Sequence, residues 1–430
     1  MSDAFKLVLK TFLEYWWVIT PIALFFILRD LWLSYVRIKY LNSIKWTLLE
    51  IKIPKEVPKT PKAMEQIFAG LHGTEGNLNF VEKWFKGELP DCFSLEMIGQ
   101  GGRVRFLIRT PDNYRNLIEA QIYAQYPDAE IMDVEDYITT LPKKIPSNDY
   151  EIWGTELILT KEDAYPIKTY PYFFEEAKEE ERIDPLAPLS EILSSLKSDE
   201  HIWVQILISA TGDEWKDKGE KLVEKLIGKK VKRTKGGMIL EEFSGWAEAL
   251  RSGLNDLISS PSKTPGKTPG APKKKEEKSI ENLMLYLTPG QREVVSAIEK
   301  NISKLGFKTL IRFIYWAKSD IYSKANRAAV IGAFKQFNTQ NLNGFKKNSK
   351  ISPNVNYWFV KRREFSRKIR VLGNYKKRYF PLKRFSKRGF VFNTEELATI
   401  YHIPGKIVEA PTMPRIEAKK GGPPSGLPVV

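Results

Sequence analysis

Between Lys361 and Arg388 the chain reads KRREFSRKIRVLGNYKKRYFPLKRFSKR, thirteen Lys/Arg against a single acid, Glu364. The cations are Lys361, Arg362, Arg363, Arg367, Lys368, Arg370, Lys376, Lys377, Arg378, Lys383, Arg384, Lys387 and Arg388. Phe365, Tyr375, Tyr379, Phe380 and Phe385 are interleaved with them. Cations neutralise phosphates and aromatic rings stack on bases, so this composition suits a groove for single-stranded nucleic acid. Tyr375, Tyr379 and Phe380 are the expected stacking platforms. The same charge would also suit an anionic lipid surface or an acidic face of a protein partner. Charge alone does not separate the three.

No other stretch carries chemistry of comparable strength. Gly266-Lys267-Thr268 ends like a phosphate-binding loop, but that loop needs a glycine five residues earlier, and the position is Pro261. Gly99-Gln100-Gly101-Gly102 joins two strands instead of opening a helix, which is a turn signal. His72, His201 and His402 are far apart and lack zinc or triad spacing. The carboxylates Asp133, Glu135 and Asp136, and Glu179 to Glu181, read as solvated charges. The single cysteine, Cys92, excludes an internal disulfide framework and agrees with a reducing compartment. The expectation is a non-enzyme with no metal and no cofactor.

The elements that must position the basic stretch begin with a long apolar run, Phe12 to Val36. It is charge-free from Tyr15 to Leu28. Roughly 20 helical residues cross an apolar core of about 30 Å, so the run predicts a single membrane anchor. Trp16 and Trp17 at one end and Trp32 at the other resemble interfacial aromatics, with Phe25 and Phe26 between them. Pro21 is tolerable in such a helix. Arg29, Arg37, Lys39 and Lys45 flank its C-terminal side against Lys6 and Lys10 on the other, which leans towards a cytoplasmic body. The 430 residues carry a net charge of +16, enough chain for two or three domains and a bias towards polyanionic partners.

The body reads as α+β. Residues 44–145 give the order βαββαβ, a ferredoxin-like unit with a hairpin at Gly99–Gly102. Residues 146–210 and 306–393 repeat that order as a second ferredoxin-like unit, with Phe390 to Phe392 as its closing strand. The helical insertion at 211–305 interrupts it, broken around Thr288-Pro289-Gly290 and carrying a Pro/Gly/Lys-rich disordered linker at 260–278. Residues 394–430 form a short helix and an extended tail. Leu397, Ile400 and Tyr401 give that helix an apolar face, which suits either core packing or docking of a partner.

The strings GAFKQFN (332–338), FNTEELATIYHIPG (392–405) and EAKKGGPPSGLP (417–428) resemble the pre-ATPase region of type IV secretion-associated, conjugative DNA-transfer ATPases. These are membrane-anchored proteins of candidate-phyla bacteria. LIEAQIYAQYPDAEIMDVEDY (117–137) and TPGQREVVSAIEKNIS (288–303) are similar to the same family. There the matching tail leads into an ATPase core, whereas this sequence reaches Val430 without one. The resemblance therefore implies a non-catalytic, membrane-anchored component of a DNA-transfer machine, scaffolding a separate P-loop ATPase. Such ATPases commonly work as rings, so the resemblance leaves room for a homo-oligomer without fixing the oligomeric state. The other readings are a membrane-tethered nucleic-acid-binding protein acting without a motor and a lipid-anchored structural scaffold.

Overall fold

The computed structural model describes residues 3–53, 59–174, 183–227, 287–382 and 389–404. The linker 260–278, the failed phosphate-loop match at Gly266–Thr268, the tail string 417–428 and the cations Lys383, Arg384, Lys387 and Arg388 lie outside these residues. Helix α1 (Asp3–Ser43) leads into β1 (Trp46–Lys52) and α2 (Lys62–Leu71). A hairpin of β2 (Phe93–Gln100) and β3 (Arg103–Pro111) follows, then α3 (Arg115–Gln125) and β4 (Glu130–Asp133). After β5 (Tyr150–Leu159) come α4 (Pro171–Phe174), α5 (Ala187–Ser194), β6 (Glu200–Thr211) and α6 (Glu214–Leu226). The chain continues through α7 (Pro289–Ile302), β7 (Gly306–Lys318), α8 (Lys324–Lys335), β8 (Phe345–Lys347) and α9 (Val360–Lys377). It closes with β9 (Phe390–Asn393) and α10 (Thr394–Ile400).

The strands form one antiparallel sheet in the order β4-β1-β3-β2-β6-β7-β5-β8, with β9 also on β7. The β2–β3 turn is Gly101-Gly102, at φ of 53° and 80°. Two consecutive positive φ values are the two-residue hairpin geometry that glycine supplies without strain. The first four strands are ordered 4-1-3-2 and the next four 2-3-1-4 on the same count. The halves meet where β2 pairs antiparallel with β6, Phe93 opposite Ile208 through Gln100 opposite His201.

Both faces of this sheet are covered, which is why β6 and β7 are buried almost throughout. One face packs under α2, α3, α5, α8 and α10 around Phe68, Ile118, Leu189, Val330 and Leu397. The other is covered by α9 and the 3-10 turn at Tyr137–Thr140, around Trp203, Ile314, Val371 and Tyr375. A third cluster joins α6 to α7 through Trp215, Leu222, Val295 and Ile298, so the two described ends of the insertion pack as a helix pair.

Four expectations change. Phe390–Phe392 is a strand, but it does not close the second half. β8 takes that place beside β5, while β9 pairs Gly306–Thr309 of β7, beyond the residues β5 reaches. The break at Thr288-Pro289-Gly290 is a helix start: the Thr288 hydroxyl accepts from Gln291 N, and Gln291 Oε1 accepts from Thr288 N at 3.0 Å. The last strand of the expected first unit is only Glu130–Asp133, because Asp136 caps the turn that follows through Ile138 N. Leu397, Ile400 and Tyr401 are not a docking face. All three are fully buried, and the Tyr401 hydroxyl donates to Leu107 O at 3.1 Å.

Helix α1 carries large apolar side chains on its described outward positions. Leu24, Phe25, Ile27, Leu28, Leu31 and Trp32 are about half exposed or more, as is Trp17. The side chain of Trp16 lies outside the description, as do several others of the apolar run. Among the described residues no helix is both long and apolar enough to cross a membrane.

His201 lies in β6 with its ring stacked on Trp316 at 3.8 Å and 3°. Burial pushes its pKa down from 6.5 to about 4, against the opposing pull of Asp199. The unfolded ring takes a proton near the ordinary value and the folded ring only near pH 4. Unfolding therefore takes up a proton in that window, and stability falls as pH drops through it. A His201→Gln variant is expected to flatten this acid limb by about one proton in urea melts run from pH 6.5 to pH 4.

Candidate nucleic-acid interface

The basic stretch becomes α9, an 18-residue helix lying across the sheet. Its sequence is amphipathic: Lys368, Val371, Leu372 and Tyr375 share one side at helical spacing. Val371, Leu372 and Tyr375 are buried. Close approach is possible because β5 has a glycine beneath the helix. A Cβ on Gly154 would stand 2.7 Å from Val371 Cγ1.

Beneath α9 runs a buried polar row. Glu96, Gln205, Arg312 and Glu156 stand opposite one another across β2, β6, β7 and β5. All four are nearly inaccessible. Arg312 donates to the carbonyl of Asn374 and, at 3.3 Å, to Gln205 Oε1, while Gln205 Nε2 donates to Tyr375 O. The helix end is fastened harder still. Arg378, at φ of 45°, terminates α9 and turns its guanidinium inward. Its Nε and Nη2 donate to the two carboxylate oxygens of Glu96 at 2.8 and 3.0 Å, and Nη1 donates to Asp136 at 2.6 Å. Glu96 also accepts from Ser94, Tyr137 and Gln205, and Tyr137 meets the Tyr375 hydroxyl at 2.8 Å. Burial opposes the charge on Arg378, but Glu96, Tyr137 and Asp136 outweigh it and hold the guanidinium above its ordinary pKa.

These contacts divide the predicted cations. Arg378 is structural. Arg367 Nη1 donates to Ser349, Ser352 and Asn354 carbonyls and so pins the loop before the helix. Lys368 pairs with Glu151 at 2.7 Å and Glu364 at 3.3 Å. Lys361, Arg362, Arg363, Arg370, Lys376 and Lys377 remain exposed. They are spread over about 24 Å of helix at 1.5 Å per residue.

The predicted aromatics are corrected. Tyr375 is fully buried between α9 and the sheet, and Phe380, past the end of the helix, is nearly so against Cys92, Leu207 and Leu310. Tyr379 is half-buried and donates to Pro90 O at 2.8 Å. None of the three can take a base. The exposed rings are others: Trp358 at 83%, Phe359 at 73%, and Tyr357 and Phe365 at 50% each. Phe359 holds a left-handed conformation, φ 59°, at the entry to α9, a costly state for a bulky residue. Arg363 sits 4.6 Å over the Tyr357 ring. The run Tyr357-Trp358-Phe359-Val360, four apolar residues directly before the cations, is the sequence signal that marks this tip.

The histidines stay apart. His72 meets Glu75 at 3.8 Å, and His402 contacts Asp184 and the Ala398 carbonyl in the core. Among the described residues no group of His, Cys, Asp and Glu could hold a metal ion.

Fold and surface together define an α+β protein built on an antiparallel sheet, with one face covered by a cationic helix tipped by aromatic residues. The chain belongs to the family described as a domain of unknown function, DUF8128, which matches residues 39–415. Comparison with curated proteins gave no match.

Proposed function

We propose that this protein is a membrane-anchored, non-catalytic component of a type IV secretion or conjugation-like DNA-transfer machine. In this reading it holds single-stranded DNA on α9 and scaffolds a separate P-loop ATPase at the cytoplasmic membrane. The observation that carries it is the outward face of α9, six exposed cations beside four exposed rings. That pairing of charge and stacking surface is what a single strand requires. The apolar exposed side of α1 supports the anchor, and its basic C-terminal flank supports a cytoplasmic body. The matching strand orders of the two half-sheets support two ferredoxin-like units, the second interrupted by the insertion. The C-terminal strings quoted above support the link to DNA transfer.

The runner-up is the same anchored DNA-binding protein acting without a motor, and it rests on the same face. Ultraviolet cross-linking in intact cells, followed by isolation of the full chain, tests both. The expected result is DNA joined to peptides within 357–377 and a P-loop ATPase recovered in stoichiometric amount. DNA without the ATPase favours the motor-free reading, and neither overturns both. The purified full chain is expected to hydrolyse no ATP above background, because its one phosphate-loop match fails at Pro261.

A further inference from the structure

A second surface lies far along the chain from α9, on the segment Phe80 to Gly87. Nothing in its composition announces it. Asn79 and Glu82 cap each other: Glu82 N donates to Asn79 Oδ1 and Asn79 N to Glu82 Oε2, both at 2.9 Å. A single π-helical turn, Glu82–Lys86, follows and ends at Gly87 with φ of 70°. The turn is wedged against α1. A Cβ on Gly87 would stand 2.5 Å from the Val36 carbonyl carbon, so only glycine fits there. Trp32 Nε1 donates to Trp84 O at 3.0 Å, and Phe80 stacks on Trp84 with centroids 5.8 Å apart.

The contact leaves an open apolar groove between the turn and Phe25, Leu28, Leu31, Trp32 and Tyr35 of α1. Phe85, 62% exposed, lines this groove, and Val81 on the same turn is 52% exposed. Lys83 and Lys86 are exposed beside them, Lys86 also touching Glu88 at 3.4 Å. Below this level α1 stops being free. Val36 is buried and Arg37 donates to Leu382 O. Four residues of helix separate Val36 from Trp32, so the turn stands about 6 Å to the apolar side of that boundary.

We infer that the Phe80–Lys86 turn is a second membrane-contacting element, an interfacial wedge that inserts Val81 and Phe85 among lipid chains and sets Lys83 and Lys86 on anionic headgroups. It rests on the reading of α1 as a membrane anchor. The bilayer is chosen as occupant for three reasons. The groove continues the exposed apolar side of α1, so whatever covers one covers the other. Trp and Tyr beside Phe is the composition of the headgroup boundary. Lysines next to an apolar edge, at a depth of about 5–10 Å, match an element lying in the interface. The wedge fixes the body at a set height and tilt on the membrane, with α1 as the pivot.

Site-directed spin labelling of the full chain tests this. Cys92 is buried and its thiol is pushed up to about 12, mainly by burial, so introduced cysteines label selectively. Labels go on Leu28→Cys, Val81→Cys, Phe85→Cys and Asn77→Cys, in vesicles of equal phosphatidylcholine and phosphatidylglycerol. Labels at 28, 81 and 85 are expected to be relaxed by oxygen and shielded from a water-soluble nickel chelate, and the label at 77 the reverse. Lys83→Glu with Lys86→Glu is expected to return position 85 to the chelate in these anionic vesicles. If 81 and 85 behave as 77 while 28 stays in lipid, the wedge is refuted and the anchor stands. If 28 also meets the chelate, both readings fall. If 81 and 85 are shielded from both reagents, a protein covers the groove and the inference is overturned.

Discussion

Replacing Arg378 by alanine is expected to cost about 3–5 kcal/mol of stability, the usual penalty for removing one member of a buried ion pair. Arg378 and Glu96 are 3% and 0% exposed at the side chain, and their contact is bidentate. Without the guanidinium, Glu96 keeps three neutral donors, Ser94, Tyr137 and Gln205, and no cation at contact distance among the described residues. The buried carboxylate then keeps these hydrogen bonds and the more distant charge of Arg109 but loses its bidentate partner. The effect should be strongly non-additive. Glu96→Leu with Arg378→Met removes both charges together and is expected to recover much of the loss, as buried pairs replaced by apolar side chains do. Thermal unfolding of the full chain in detergent, run on the two single variants and the double, measures this. A loss under about 1 kcal/mol for Arg378→Ala would place the network in the class of surface ion pairs and refute the assignment.

The second large effect is on the outward face of the same helix. If α9 tracks a single strand, log affinity should fall with log salt by about 0.7 for each phosphate neutralised. Changing Lys361, Arg362, Arg363, Arg370, Lys376 and Lys377 together to Ala should then flatten the slope by roughly 4. Trp358→Ala or Phe359→Ala should weaken binding by about 1–3 kcal/mol per stacked base and leave the slope nearly unchanged. Tyr375→Ala should act differently, by loosening α9 from the sheet, because its hydroxyl and ring face Tyr137 and Trp203. A salt titration of fluorescent single-stranded DNA against the full chain decides. No binding at low salt would leave the face to an anionic lipid surface or an acidic protein, and the DNA-binding proposal would be dropped.

Much of the local structure was legible in the residues themselves. Gly101-Gly102 between two alternating apolar runs specified a tight hairpin, since few other residues accept two positive φ angles in succession. The order βαββαβ expected of residues 44–145 is the order of β1, α2, β2, β3, α3 and β4. The basic stretch was visible as charge, but its folding as a helix with Val371, Leu372 and Tyr375 turned inward was not. What misled was composition read without direction. Tyr375 and Phe380 looked like stacking rings because they sit among cations, yet Tyr375 is on the inner side of the helix and Phe380 turns onto the sheet just past its end. Three of the rings that do face outward, Tyr357, Trp358 and Phe359, precede the charged run, and Phe365 lies within it.

The sequence by itself determined many of the strands and helices of the body, and that one stretch is strongly cationic, because those properties depend on neighbours within a turn or a strand. Tertiary structure alone decided which charges are free. Arg378 meets a carboxylate 282 positions away, and Glu96, Gln205, Arg312 and Glu156 become neighbours only when four strands come into register. Each lies within a mostly apolar strand, a hint with no partner named. The same holds for β8 closing the second half and for α10 sinking into the core beside α2. Side-chain fate there is set by burial against segments distant in the chain, and the chain's own periodicity does not encode that distance.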